Sequence, residues 1–178
     1  MAEPVRQPEA DPVLDPGDPL ARWAAGYGRI RHRPLTRTRV AAMARWLDDH
    51  GIRGDGAPLV DVLRAADRIA NAAMWLVVHE TYARRVYLDG RPLAPEDFKR
   101  EPEGHTGGAH HQAPAHAGYM AANAPTGPTR ACLMGQGHCV AAEDSVNLLL
   151  GNMTPAHAER YDVSDEGLAR YVADYYAY

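Results

Sequence analysis

Two histidines held in glycine-rich turns carry the strongest chemical signal in this chain. They are Gly104-His105-Thr106-Gly107-Gly108 and Gly135-Gln136-Gly137-His138-Cys139, each leading into an expected helix. Glycine lets a backbone come close to a ligand, and a helix N-terminus offers unpaired N–H groups to anions. A histidine at such a turn can donate to a phosphate or move a proton near neutral pH. The pattern predicts a polar site for a phosphorylated ligand, built from two loops around Gly104, His105, Gly135, Gly137 and His138.

His110, His111 and His116 follow the first turn closely, and Cys132 and Cys139 flank the second. His110 and His111 are expected in a first helical turn lining the same cleft. Zinc is an alternative use of these residues, since it takes four N or S ligands in a tetrahedron. Cys132-x6-Cys139 and His111-x4-His116 do not match the usual short ligand pairs, so no metal ligand is assigned.

The two motifs, in this order and with helices after them, resemble the paired N-terminal histidine motifs of thiamine diphosphate enzymes of the transketolase and phosphoketolase group. The segment from about Ala65 to Tyr178 is most similar to phosphoketolase-like proteins labelled xylulose 5-phosphate 3-epimerase. The resemblance implies an α/β fold, here the helix-rich N-terminal portion of an incomplete diphosphate-type thiamine diphosphate-binding domain. It implies thiamine diphosphate with Mg2+ as cofactor and a ketose phosphate as substrate. By position it assigns Gly104, His105, Gly135, Gly137 and His138 to cofactor binding, with His105 and His138 also donating to substrate and moving protons. Cys139 stands where these enzymes commonly have glycine.

Gly54-Asp55-Gly56 looks like the family's magnesium-binding element but precedes the histidine motifs instead of following them. It is read as a helix-to-helix turn, and the magnesium ligands are expected beyond Tyr178. The resemblance therefore implies that the remaining domains, or a companion subunit, complete the enzyme, with a homo-oligomer once complete, and that this chain alone does not turn over substrate. The alternatives are a non-catalytic binding or assembly half of a split or degenerate enzyme, and a small zinc-binding protein.

Composition bounds the rest. At 178 residues and 46% apolar, the chain can bury one core. A formal net charge of -4 gives no general attraction to nucleic acid or an anionic membrane. No run approaches the roughly 18 apolar residues of a membrane span, and no signal-peptide pattern opens the chain, so a cytoplasmic location is expected. Two cysteines fit a reducing compartment.

Residues 1–35 are expected to form a mobile acidic, proline-rich tail (Met1 to Leu20) and a basic lead-in, with 36–178 as the partial cofactor-binding domain. Arg29, Arg31, His32 and Arg33 are either a solvated cluster or a phosphate contact. Helical spacing predicts helices over about Thr38–His50 (Val40, Met43, Ala44 and Leu47 inward), Leu59–Tyr82 and Val140–Leu150. Another starts in the turn holding Pro114, with Ala117, Met120 and Ala121 for packing. Thr154-Pro155 opens a further helix and Ser164 caps the last, with Leu168, Tyr171 and Val172 inward. Ala131 to Met134 is expected as a short buried parallel strand. His79 and Glu80 end the long helix, His79 as a hydrogen-bonded structural histidine or a functional one. Tyr175, Tyr176 and Tyr178 read as a helix interior that needs a covering element.

Overall fold

The computed structural model describes residues 17–52, 57–126, 132–135 and 137–176. These fold as two compact units, one of residues up to Arg64 with Asn123–Pro128, the other of Ala65–Ala122 and Thr129–Tyr178. Gly54-Asp55-Gly56, Arg130 and Tyr178 lie outside the described residues.

In the first unit, helix α1 spans Pro19–Ala25, capped by Asp18, whose Oδ1 accepts from the Leu20 N–H at 2.8 Å. Pro19 and Leu20, assigned to the tail by composition, therefore belong to a helix. A cap and a proline in the first turn supply the local free energy that low hydrophobicity does not. Helix α2 spans Pro34–Asp49, starting four residues before Thr38 because Pro34 sits comfortably at the first helical position. Its buried side chains are Thr38, Ala41 and Leu47, so the inward stripe is rotated from the expected one, where of four residues only Leu47 is buried. The Thr38 hydroxyl is satisfied by the Pro34 carbonyl at 3.1 Å. Gly51 follows the helix at φ +62, the left-handed conformation that suits a helix stop.

The second unit is built on α3 (Leu59–Tyr82), α4 (Thr106–Thr126), α5 (Val140–Leu150), α6 (Pro155–Arg160) and α7 (Asp165–Asp174). The bounds of α3 and α5 coincide with the expected ones. Thr154 caps α6, and the Ser164 hydroxyl caps α7, accepting from the Gly167 N–H at 3.0 Å. Leu168, Tyr171 and Val172 are buried, as their spacing requires.

Helix α4 departs from expectation. It begins at Thr106, so Gly107 and Gly108 lie in its first turn and Pro114 lies in its interior. Two helical glycines cost about 1 kcal/mol each relative to alanine, and Pro114 has no N–H to offer the carbonyl one turn earlier. Tertiary packing outweighs both. Ala109, Ala113 and Ala117 repeat at every fourth position and interlock with Ala73 and Val77 of α3 and with Ala141, Ala142 and Val146 of α5. Small residues let the three helices approach closely. A second cluster, Leu76, Val86, Leu148, Leu168, Tyr171 and Val172, packs α7 against α3 and α5.

No strand occurs among the described residues. The helix-rich character holds, but the sheet of an α/β fold does not appear; only isolated bridges, Tyr27 with Ile30 and Ala83 with Phe98, are present. Cys132–Met134 forms no ladder, and Leu133 is 96% exposed, so the expected buried strand is overturned over these residues; Ala131 lies outside the described residues. A short apolar run becomes a strand only with a partner edge, and none is offered here. The C-terminal aromatic run is also different. Helix α7 stops at Asp174, Tyr175 is extended at φ -70 and ψ 125, and Tyr176 has φ +54. Tyr175 finds cover within the unit, packing against both core clusters. Among the described residues no helix is long and apolar enough to cross a membrane.

Candidate functional site

His105 immediately precedes α4, its carbonyl accepting the Ala109 N–H at 3.0 Å. His138 sits in a single 3-10 turn, Gly137–Cys139, that leads directly into α5. Packing of α4 against α5 brings the two exposed rings together, with centroids 4.6 Å apart and planes inclined by 57°. Cys139 is buried beneath them. A methyl group on Gly108 would lie 2.8 Å from Cys139 Sγ and 3.8 Å from His138 Nε2. His138 therefore stands over the first turn of α4, where the unpaired N–H groups of a long helix are found.

The glycines divide into two kinds. Gly104 has φ +133, and a Cβ there would meet Tyr176 Cε2 at 2.8 Å and Thr81 Oγ1 at 2.9 Å. Thr81 in turn donates to the Val77 carbonyl at 3.1 Å and receives Thr106 Oγ1 at 3.4 Å, which ties the turn to the end of α3. Gly104→Ala is expected to destabilise the protein by about 1–3 kcal/mol from backbone strain alone, before the contact with Thr81 is counted. Urea unfolding of the variant checks this, and an unchanged midpoint would contradict it. Gly107, Gly135 and Gly137 have nothing within 4 Å of a built Cβ and no positive φ. At these positions the missing side chain leaves open space.

Other histidines are placed elsewhere. His110 Nε2 donates to the Met74 carbonyl at 3.0 Å, fastening α4 to α3, so this ring nitrogen is not available to a ligand. His111 is exposed on α4. His116 is buried with both ring nitrogens unpartnered. His79 is hydrogen-bonded: Nδ1 donates to the Trp75 carbonyl at 2.9 Å and the ring packs on Trp75 at 3.9 Å. Burial lowers its pKa below the usual imidazole range, against that hydrogen bond. Among the described residues no three His, Cys, Asp or Glu side chains converge as a metal site, and Cys132 is exposed while Cys139 is buried.

The basic run is solvated around a tight turn. Arg31 Nη1 donates to the carbonyls of Gly28 and Ile30, and His32 stacks on the buried Trp23 at 3.9 Å.

Glu80 is the residue whose importance the sequence only half discloses. It is fully buried, and Ser145 Oγ of α5 donates to its Oε1 at 2.5 Å. The Tyr171 hydroxyl, also buried, lies against the same carboxyl. Burial raises the carboxyl to a pKa of about 8, with Ser145 and Tyr171 opposing the shift and Asp144 adding to it. Lys99 Nζ donates to the carbonyls of Glu80 at 2.6 Å and Tyr175 at 2.5 Å, and burial lowers its own pKa. The available signal was position: Glu80 falls one turn after Leu76, on the apolar stripe of α3. This cluster lies directly behind Thr81, which holds the His105 turn. Comparison with protein families, with characterised proteins and with solved structures finds no match to this chain.

Proposed function

We propose that the His105 and His138 pair is the anion-facing half of a site for a phosphorylated ligand, in a segment of a thiamine diphosphate-dependent enzyme acting on ketose phosphates. The observation that carries this reading is the meeting of the two glycine-flanked rings over the first turn of α4. A diphosphate needs N–H donors, ring donors and room for its oxygens. The start of α4, the two imidazoles and the open space at Gly107, Gly135 and Gly137 fit that need. Thiamine diphosphate, when bound with magnesium, supplies an electron sink for carbon–carbon cleavage. In this reading the chain's own residues bind and orient. His138 Nε2 donates toward the ligand from above α4, and His105 holds or moves a proton on the substrate side. Buried Cys139 fixes the turn that presents His138. The magnesium ligands, the rest of an α/β domain and the second cofactor-binding domain come from further segments or a companion subunit, with a homo-oligomer as the complete form.

Titration of the full chain with inorganic pyrophosphate, followed through the imidazole NMR resonances, tests the anion site. His105 and His138 are expected to shift together and saturably, with His110 and His111 unchanged. A response at His111 without one at the pair would overturn the reading.

A further inference from the structure

A cavity of about 360 Å³ lies between α5, α6 and α7 and contains neither His105 nor His138. Asp144, Asn147, His157, Tyr161, Tyr171 and Tyr175 are prominent among its walls. Its volume is within the range of small-molecule pockets, and its mixture of ring faces with a few polar groups is typical of them. No arginine or lysine lines it. Two carboxylates do, Asp144 and Asp174, but they are not equivalent. Asp174 is already neutralised, receiving Arg160 Nη2 at 2.7 Å, Arg160 Nε at 3.0 Å and the Tyr161 hydroxyl at 3.0 Å. Asp144 receives only the Tyr175 hydroxyl, at 3.2 Å. Tyr171 is 6% exposed and lines the cavity, with its hydroxyl turned to the buried Glu80 carboxyl. Tyr161 and Tyr171 meet edge to face with centroids 5.5 Å apart, and Tyr171 and Tyr175, also 5.5 Å apart, are tilted by 57°.

We propose that this cavity binds a small organic ammonium ion, its N–H groups directed to Asp144 and Asn147 and its alkyl part against the tyrosine rings. An anion is disfavoured by Asp144, which has no arginine or lysine bonded to it among the described residues. A cation gains both the carboxylate and the ring faces, which attract positive charge. Burial raises the Asp144 carboxyl above its ordinary range, with the Tyr175 hydroxyl and His157 acting against the shift. A bound ammonium would restore the solvation that the carboxylate lacks.

The probe is butylammonium chloride at neutral pH, with n-butanol and glucose as controls, titrated into the full chain while the tyrosine ring resonances are observed by NMR. Saturable shifts of Tyr161, Tyr171 and Tyr175 are expected with butylammonium and not with n-butanol. Asp144→Asn should weaken binding at least about tenfold, or about 1.4 kcal/mol, while His138→Ala leaves it unchanged. Should Asp144→Asn fail to fold, Asn147→Asp adds a third carboxylate and is expected to tighten butylammonium binding. An equal response to n-butanol would mean an apolar crevice, and a response to glucose alone would mean a polyol site. Either outcome, or no saturable shift by about 10 mM, overturns the proposal.

Discussion

Glu80→Gln is expected to remove most of a loss of stability that the protein suffers as pH rises from about 5 to 8. The carboxyl is pushed up by burial to a pKa of about 8 in the fold, against an ordinary 4.5. A raised acid pKa means that the folded state binds its proton more tightly than the unfolded state does. The resulting stabilisation is fully present below the unfolded value and is lost as pH climbs through the folded one. Each pKa unit corresponds to about 1.4 kcal/mol, so the group's contribution across this window is on the order of 5 kcal/mol. Glutamine keeps an acceptor for Ser145 Oγ and cannot ionise. Urea unfolding at several pH values should therefore give a shallower slope for the variant, and an advantage over the parent that grows toward pH 8. The difference between the two chains isolates this residue. His79 acts with the opposite sign in both, because its lowered pKa costs stability as pH falls below the usual imidazole value. Parallel curves for parent and variant would show that Glu80 is charged in the fold.

The readable parts of the sequence were those where local and tertiary preferences agree. The apolar stripe of α3 has no glycine or proline within it, and α5 runs from the end of one glycine turn to Gly151, so both helices have the bounds that spacing predicts. Ser164 and Thr154 are ordinary caps and behave as such. The errors came where a local signal met a stronger packing demand. Glycine at 107 and 108 reads as a loop, but Gly108 is required by the close approach of Cys139, and the alanine face of α4 extends the helix back to Thr106. The run ending at Met134 reads as a strand, but strand formation depends on a partner that no local pattern can disclose.

The same division applies to the candidate site. The residue types at 105 and 138 and their glycine flanks were legible. Their meeting was not, because it depends on how α4 packs on α5 through Ala109, Ala113, Ala141 and Ala142. The contact of His110 is hidden for a related reason. It shares the start of α4 with His105 but lies on the side facing α3, where the Met74 carbonyl captures it. Glu80 could be read as a carboxylate on an apolar stripe. Its partner Ser145, far along the chain, supplies the part that no spacing reveals.

Under the proposed function, His138→Ala, made in the complete enzyme which that reading requires, is expected to lower turnover of a ketose phosphate by roughly 10²-fold or more. The ring is exposed and contributes no core volume, so the melting temperature should stay close to the parent's. That separation distinguishes a positioned donor from a structural histidine. His79→Ala supplies the contrast: it removes a half-buried ring packed on Trp75 and a hydrogen bond to the α3 backbone, so its effect should fall on stability with turnover per folded molecule retained. Steady-state kinetics and thermal unfolding on the same preparations read both quantities. Loss of the His138 ring leaves the first turn of α4 and the His105 ring in place, so phosphate binding should weaken without vanishing. Turnover indifferent to His138 but abolished by changing His110 or His111 alone would move the chemistry away from the pair to the following positions of α4. The pairing seen at 4.6 Å would then be a packing contact between two surface rings and nothing more.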